Sequence, residues 1–368
     1  MTAPRTPGEA ARRLAETMTA RVTERMTRGM PGPAAEAVRA AAARGTSVAG
    51  GGPASAAMRE ATRLTRAGRL TEAMTVLQGA AGAGNVPTTA GAGSARATRG
   101  SFTGPAGTRT YRVVAPSNPQ EHPPLLVMLH GGTQDADVFA AATGMDEVAE
   151  REGFVVVYPE QARSANAMGY WNWFEPRHQG RDGEPSLIAG IVGEVAAEHG
   201  TDPDRVFVAG FSAGAAMAAV MGAAYPDLVA AVGVHSGLAA GAARDVGSAF
   251  AAMRSGAYRP GRSRVPTIVV HGGEDGTVAV ANAGRVAESA LDGVPGCARS
   301  EERGGGQGGR DWTRERWTDP EGGVRVESWT VHGSGHAWSG GRAGGSYTDP
   351  SGPDASAAMV AFFGAGRD

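Results

Sequence analysis

Val206-Phe-Val-Ala-Gly-Phe-Ser-Ala-Gly-Ala-Ala-Met217 decides how this chain is read. Val206 to Val208 is a short β-branched and aromatic run, the pattern of a buried strand. It leads into Gly210-Phe-Ser-Ala-Gly214, a G-x-S-x-G motif, and then into small, helix-forming residues from Ala215 to Ala224. Strand, sharp turn and helix in that order lift a serine hydroxyl above the edge of a sheet, where it can act as a nucleophile. The glycines flanking Ser212 let strand and helix approach closely, and the helix N-terminus offers backbone N–H groups to an anion. In a chain with 57 glycines the motif alone is weak. Its place between a strand and a helix, with an acid and a base downstream, gives it weight.

Working outward, apolar runs alternate with helical patterns. Leu125 to Leu129 reads as a buried strand ending at His130-Gly-Gly-Thr-Gln134, and a helix containing Met145, Val148 and Ala149 precedes a strand from Phe154 to Tyr158. Gly190 to His199 is helical. Beyond the central motif, Leu228 to Val234 and Thr267 to Val270 are further strands, Val326 to Val331 is the last, and Pro353 to Phe363 is a closing helix. Ser101 to Thr103 and Thr108 to Val114 flank Gly104-Pro-Ala-Gly107, a hairpin signal. The pattern predicts an α/β fold, a mostly parallel central sheet with helices on both faces. Such sheets bind ligands at the C-terminal ends of their strands.

Serine is a poor nucleophile at its free pKa, so Ser212 needs a base, and the base needs an orienting acid. His271-Gly-Gly-Glu-Asp275 follows the strand ending at Val270, which makes Asp275 the expected acid, with Glu274 its competitor. His332-Gly-Ser-Gly-His336-Ala-Trp338 follows the last strand. His332 adjoins that strand and is expected to be buried and inert, whereas His336 lies on a glycine-rich loop able to reach over the sheet edge as the base. The negative oxygen of a tetrahedral intermediate needs preorganised donors. The N–H of Ala213 is one. The second is expected from His130-Gly131-Gly132, with Gly132 preferred and Thr133 in reserve. Trp171-Asn-Trp-Phe174 lies toward the same edge, and Trp171, Trp173 and Trp338 are the candidate substrate contacts, with ordinary packing the competing reading.

Ahead of this region, Gly8 to Arg28 spaces Leu14, Met18, Val22 and Met26 four apart, an amphipathic helix, and Ser55 to Gln78 reads as two short helices. The expected organisation is a helical region at 1–80, a Gly/Ala-rich linker at 81–100 and a catalytic domain at 101–368. Thirty-five basic against 37 acidic residues give a net charge of −2, no global field for nucleic acid. No run of 18 apolar residues suggests a membrane span. Cys297 is the only cysteine, so neither an intrachain disulfide nor a cysteine-based metal site is expected. The first 30 residues lack the apolar core of a secretory signal, which makes a cytoplasmic protein the default expectation.

From about Gly100 to Phe363 the chain resembles the poly(3-hydroxybutyrate) depolymerase-type esterases. The matching phrases are Met128-Leu-His-Gly-Gly-Thr-Gln134, Tyr158-Pro-Glu-Gln161, Trp171-Asn-Trp-Phe174, Gly183-Glu-Pro185, Ala209-Gly-Phe-Ser-Ala-Gly214, Val234-His-Ser-Gly237, Gly335-His-Ala-Trp-Ser-Gly-Gly341 and Gly345-Ser-Tyr-Thr-Asp-Pro350. The resemblance implies an α/β-hydrolase fold and ester hydrolysis without cofactor or metal. It places nucleophile, acid and base at Ser212, Asp275 and His336, and supports Gly132 as an oxyanion residue. It also implies an ester substrate, with insoluble polyester among the candidates. Similar proteins often carry cysteines where Gly132 and Tyr170 stand, a plausible disulfide absent here; extracellular placement, the family alternative, is weakened by that loss. The competing enzymatic reading is a carbohydrate esterase acting on acetyl or feruloyl groups. A peptidase of the same fold is disfavoured, since no propeller-like domain is visible. The competing reading of another class is a non-catalytic binding protein retaining the fold, for which an incomplete triad would be the sign. Oligomeric state is not legible.

Overall fold

The computed structural model describes residues 97–256, 263, 265–306 and 308–364. The helices expected at 1–80, and residues 81–96 of the linker expected at 81–100, lie outside the described residues; residues 97–100 of that linker are instead the start of a strand.

Ten strands form one sheet in the order β1-β2-β4-β3-β5-β6-β7-β10-β9-β8. They are β1 (Ala97–Gly104), β2 (Gly107–Val114), β3 (Leu125–Leu129), β4 (Val155–Pro159), β5 (Val206–Phe211), β6 (Ala231–His235), β7 (Thr267–Gly272), β8 (Ala298–Gly306), β9 (Gly309–Thr318) and β10 (Val324–Val331). The six strands from β4 to β10 in that order pair in parallel. Antiparallel strands extend the sheet on both sides. The short pair β11 (Trp338–Ser339) and β12 (Thr348–Asp349) stands apart. A 3₁₀ turn (Pro176–His178) and seven α-helices complete the described elements: α1 (Ala136–Thr143), α2 (Met145–Glu152), α3 (Gly183–His199), α4 (Ala213–Ala224), α5 (Val246–Ser255), α6 (Ala281–Leu291) and α7 (Ala355–Phe363).

Alternation along the strands sorts the core into two layers. Leu125, Val127 and Leu129 of β3 pack with Ile188, Ile191 and Val192 of α3 and Met217 and Val220 of α4. Leu126 and Met128 face the other way, toward Phe139 of α1, Met145 of α2 and Met359 and Phe363 of α7. Strands covered on both faces read as unbroken apolar runs, which is why β3, β4 and β5 are buried along their whole length.

Chain order explains where a site can form. After β3 the chain adds β4 on one side, then crosses to place β5 on the other. The loops leaving β3 and β5 therefore diverge, and the crevice between them is the switch point of the sheet. His130-Gly-Gly leaves β3 and Ser212 leaves β5.

Two expectations differ from the structure. The expected last strand is followed by β11 and β12, and the edge hairpin β8–β9 has no counterpart in the sequence reading. Its strands carry Arg299, Glu301, Glu302, Arg303, Arg314, Glu315 and Arg316, so no apolar run marks them. β9 is held by ladder bonds to β10 and β8 by ladder bonds to β9, with cross-strand charge pairs such as Arg314 with Glu302 and Arg299 with Glu315. Charged residues on an edge also discourage pairing with another chain.

Candidate active site

Ser212 occupies the turn between β5 and α4 with φ 55° and ψ −116°, a conformation that L-residues rarely adopt and that costs on the order of 1–3 kcal/mol. Its N–H donates to His235 O at 2.9 Å, which ties the strained turn to β6. Glycine is required beside it by close approach. A Cβ on Gly214 would lie 2.1 Å from Leu129 O, and one on Gly210 would lie 2.5 Å from the Gly214 carbonyl carbon. Helix α4 is buried almost all round.

The structure brings Ser212, Asp275 and His336 together. His336 Nδ1 is 2.7 Å from Asp275 Oδ2, and His336 Nε2 is 2.9 Å from Ser212 Oγ. An acceptor carboxylate at Nδ1 assigns the ring proton there and leaves Nε2 to accept from the serine hydroxyl. Asp275 Oδ1 accepts the N–H groups of Thr277 at 2.8 Å and Val278 at 2.9 Å, which fixes the carboxylate plane. Burial pushes the Asp275 carboxyl upward, but the facing His336, its hydrogen bond, His271 and the Val278 N–H outweigh it. The net displacement is below the usual carboxylate range. Glu274 is exposed and uses its own N–H to bind Ser334 O at 2.9 Å, joining the acid loop to the base loop. His332 is exposed rather than buried, correcting the expectation; its Nε2 meets Thr313 Oγ1 at 2.9 Å on β9.

Two further histidines pack beside these three residues. His271 Nε2 donates to Val278 O at 2.9 Å and lies 3.5 Å from Asp275 Oδ2. His235 Nε2 accepts the Ser339 N–H at 2.9 Å, and its ring stacks on Trp338 at 4.7 Å. Burial lowers the pKa of both, keeping them neutral. The loop carrying His336 is anchored by Asp349, which accepts Ser334 Oγ at 2.6 Å and pairs with Arg310. The Phe211 ring backs the His336 imidazole at 4.8 Å.

Around the β3 loop, the Gly131 N–H donates to Gln134 Oε1 at 2.9 Å and the Thr133 N–H to Met168 O at 3.2 Å. Thr133 is thus committed elsewhere. Among the described residues the N–H groups of Gly132 and Ala213 have no protein partner.

The three tryptophans expected to touch substrate are packed inside instead. Trp171 is fully buried beside His130, with ring centres 5.5 Å apart. Trp173 lies in the core edge-on to Phe174. Trp338 is buried between His235 and Phe139 with its Nε1 donating to Ser356 Oγ at 3.1 Å. Large aromatic area is stabilising when removed from water, and the loops around the site supply that cover. Sequence reasoning missed Glu184, Arg109, Asp349, His235 and His271 as supports; all but Arg109 lie within the quoted stretches, where nothing distinguished them from their neighbours. Among the described residues no group of three or more His, Cys, Asp or Glu is placed to hold a metal ion.

Comparison with known proteins gives a consistent picture. A family model described as esterase PHB depolymerase matches residues 110–300, just over half of the chain. The chain is 33% identical over 237 residues to poly(3-hydroxyalkanoate) depolymerase C of Paucimonas lemoignei, covering 60% of this chain and 56% of that protein. It is 33% identical over 150 residues to acetylxylan esterase A of Talaromyces purpureogenus, covering 41% of this chain and 39% of that protein. The chain thus spans about half, or less, of the length of these curated relatives. A solved acetyl xylan esterase from Aspergillus awamori superimposes with TM-score 0.57 at 21% identity, over 73% of this chain and 99% of that one, which establishes a shared α/β-hydrolase fold.

Proposed function

The chain belongs to the PHB depolymerase esterase family, and from that premise we propose that it is a serine esterase hydrolysing short-chain carboxylic esters through an acyl-enzyme. The observation that carries this reading is the unbroken line from Asp275 through His336 to Ser212, with the serine on a strained turn at the sheet's switch point. A non-catalytic relative would have no cause to keep that turn strained.

Ser212 Oγ attacks the ester carbonyl carbon while His336 Nε2 takes the hydroxyl proton. The carbonyl oxygen becomes an oxyanion held by the N–H groups of Ala213 and Gly132. As the intermediate collapses, the C–O bond to the alcohol breaks and His336 returns its proton to the departing oxygen. Water, deprotonated by His336, then attacks the acyl carbon; the C–O bond to Ser212 breaks, His336 returns the proton to Ser212 Oγ, and the carboxylic acid is released. Asp275 holds the imidazole in the productive tautomer and stabilises the imidazolium.

The substrate class rests on the relatives. Likeness to a poly(3-hydroxyalkanoate) depolymerase favours hydroxyalkanoate polyesters or their oligomers. Likeness to acetylxylan esterases favours acetyl groups on a polysaccharide as the second reading. Both ask for a small acyl group at the same serine. Rates across 4-nitrophenyl esters of increasing acyl length, together with product analysis on polyester film and on acetylated xylan, separate them. Release of hydroxy acids from film supports the first, and release of acetate from xylan alone supports the second. Hydrolysis by Ser212→Ala protein at the wild-type rate would overturn both.

A further inference from the structure

Glu184 is a carboxylate at 1% exposure in the first turn of α3, and it gathers donors from three separate segments. Arg109 Nη2 of β2 donates to its Oε1 at 3.1 Å, Gln161 Nε2 at 2.6 Å and Asn172 Nδ2 at 2.7 Å, while the Asn172 N–H donates to Oε2 at 2.8 Å. Gln161 passes this connection on. Its Nε2 also donates to Tyr170 O at 2.8 Å, using its second hydrogen, and its N–H donates to His130 Nε2 at 3.0 Å. His130 Nδ1 in turn donates to Gly131 O at 2.8 Å. That pattern needs a neutral ring, and burial pushes His130 down to about 4.

The other branch ends on Gly132. A Cβ there would meet the Tyr170 ring at 2.1 Å from Cε1 and 2.4 Å from Cδ1 and Cζ. The Gly132 backbone is not in the left-handed region, so conformation alone would allow alanine. The glycine is demanded by the ring pressed against it. Loop 130–132 is therefore held at two places, by the His130 side chain bonded to Gln161 and by the Tyr170 ring against Gly132, and both connect to Glu184 through Gln161.

We propose that Glu184 is a positioning residue for this reaction: through Gln161 and the Tyr170 ring it fixes the Gly132 N–H as an oxyanion donor. The inference rests on the serine-esterase reading above. Glu184 touches neither Ser212 nor His336, so its influence is on where the oxyanion is held. A buried carboxylate with four donors on it is rigid, and a displacement of about 1 Å at a catalytic donor can cost on the order of 10² in rate.

The test is Glu184→Gln, which keeps the shape but turns an N–H toward donors. The readouts are kcat and KM on 4-nitrophenyl acetate, normalised to titrated active sites, and the inhibition constant of phenylboronic acid, which forms a tetrahedral adduct on the serine. The expected result is a kcat reduced about tenfold or more, boronate binding weakened in parallel, and KM changed less than about twofold, since the lost interaction belongs to the transition state. A purely structural role would lower the melting temperature and the titratable fraction while leaving kcat per site and boronate binding within about twofold of wild type, and that outcome overturns the proposal. If Glu184→Gln does not fold, the last link is tested by Gly132→Ala, expected to lose kcat, and by adding Tyr170→Ala, expected to restore part of it. Full activity in Gly132→Ala, or no restoration in the pair, overturns the proposal. Activity retained by Ser212→Ala would instead remove the esterase reading and leave the Glu184 contacts standing without that role.

Discussion

His336 Nε2 stands 2.9 Å from Ser212 Oγ across 124 residues of chain. The two reach each other because β5 and β10 end at the same edge of the sheet, and Asp349 and Arg310 hold the intervening loop over it. Nucleophile and base that share one hydrogen bond act as a unit, so their losses do not add. Ser212→Ala and His336→Ala are each expected to abolish most ester hydrolysis, and the double variant to be no slower than the slower single one. A double variant slower by the product of the two losses would show independent roles.

Asp275 and Glu274 are neighbours in sequence and opposites in place. Only Asp275 meets His336, and its second oxygen is fixed by two backbone N–H groups. Asp275→Asn can hold the imidazole in the wrong tautomer, a change worth on the order of 10⁴ in kcat in a serine protease. Glu274→Gln is expected to change kcat less than about twofold, as surface changes usually do. Steady-state rates of the two variants check this, and the reverse ranking would move the acid to Glu274.

Gly214 lies where α4 touches β3. Its added methyl would collide with backbone oxygen at 2.1 Å, and backbone cannot swing aside as a flexible side chain can. Gly214→Ala is therefore expected to displace the elbow and cost both kcat and melting temperature. Gly193→Ala, with open space around its Cβ, is the control; on a helix it should be neutral or stabilising by up to about 1 kcal/mol. Equal behaviour of the two variants would contradict the close-approach argument.

The order of these elements was legible because parallel strands covered on both faces are apolar throughout, and because the serine motif sits between one such strand and a small-residue helix. Ser212, Asp275 and His336 could be placed at strand ends for the same reason. The tryptophans were harder: an indole near a site reads the same whether it faces substrate or core, and Trp171, Trp173 and Trp338 face core. The hairpin β8–β9 was invisible since charge pairs, rather than apolar periodicity, mark it. Glu184 was invisible for a related reason. A buried carboxylate looks in sequence like any surface acid at a helix start, until Arg109, Gln161 and Asn172 arrive from elsewhere in the chain.

Four buried histidines make stability depend on pH. Burial lowers His130 to about 4, His178 and His271 below their usual value and His235 well below it. In the unfolded chain each binds a proton near pH 6.5. Below that pH the unfolded state therefore holds more protons than the native one, and stability falls as pH falls toward the folded values. For His130 alone the span from 6.5 to about 4 corresponds to about 3 kcal/mol. Asp275, lowered from the carboxylate range, adds its loss only at still lower pH. Urea midpoints are expected to drop steadily from pH 7 to pH 5. Midpoints that do not move over that interval would mean that the buried histidines are protonated in the native state.

Ser212 is proposed to carry the acyl group. The most direct measurement is mass spectrometry of the protein after stoichiometric reaction with a fluorophosphonate, with peptide mapping and residual esterase activity followed together. One adduct per chain on Ser212, activity lost in proportion, and neither adduct nor turnover in Ser212→Ala are the predicted results. An adduct on another residue accompanying the loss of activity, or undiminished hydrolysis by Ser212→Ala, would contradict the account.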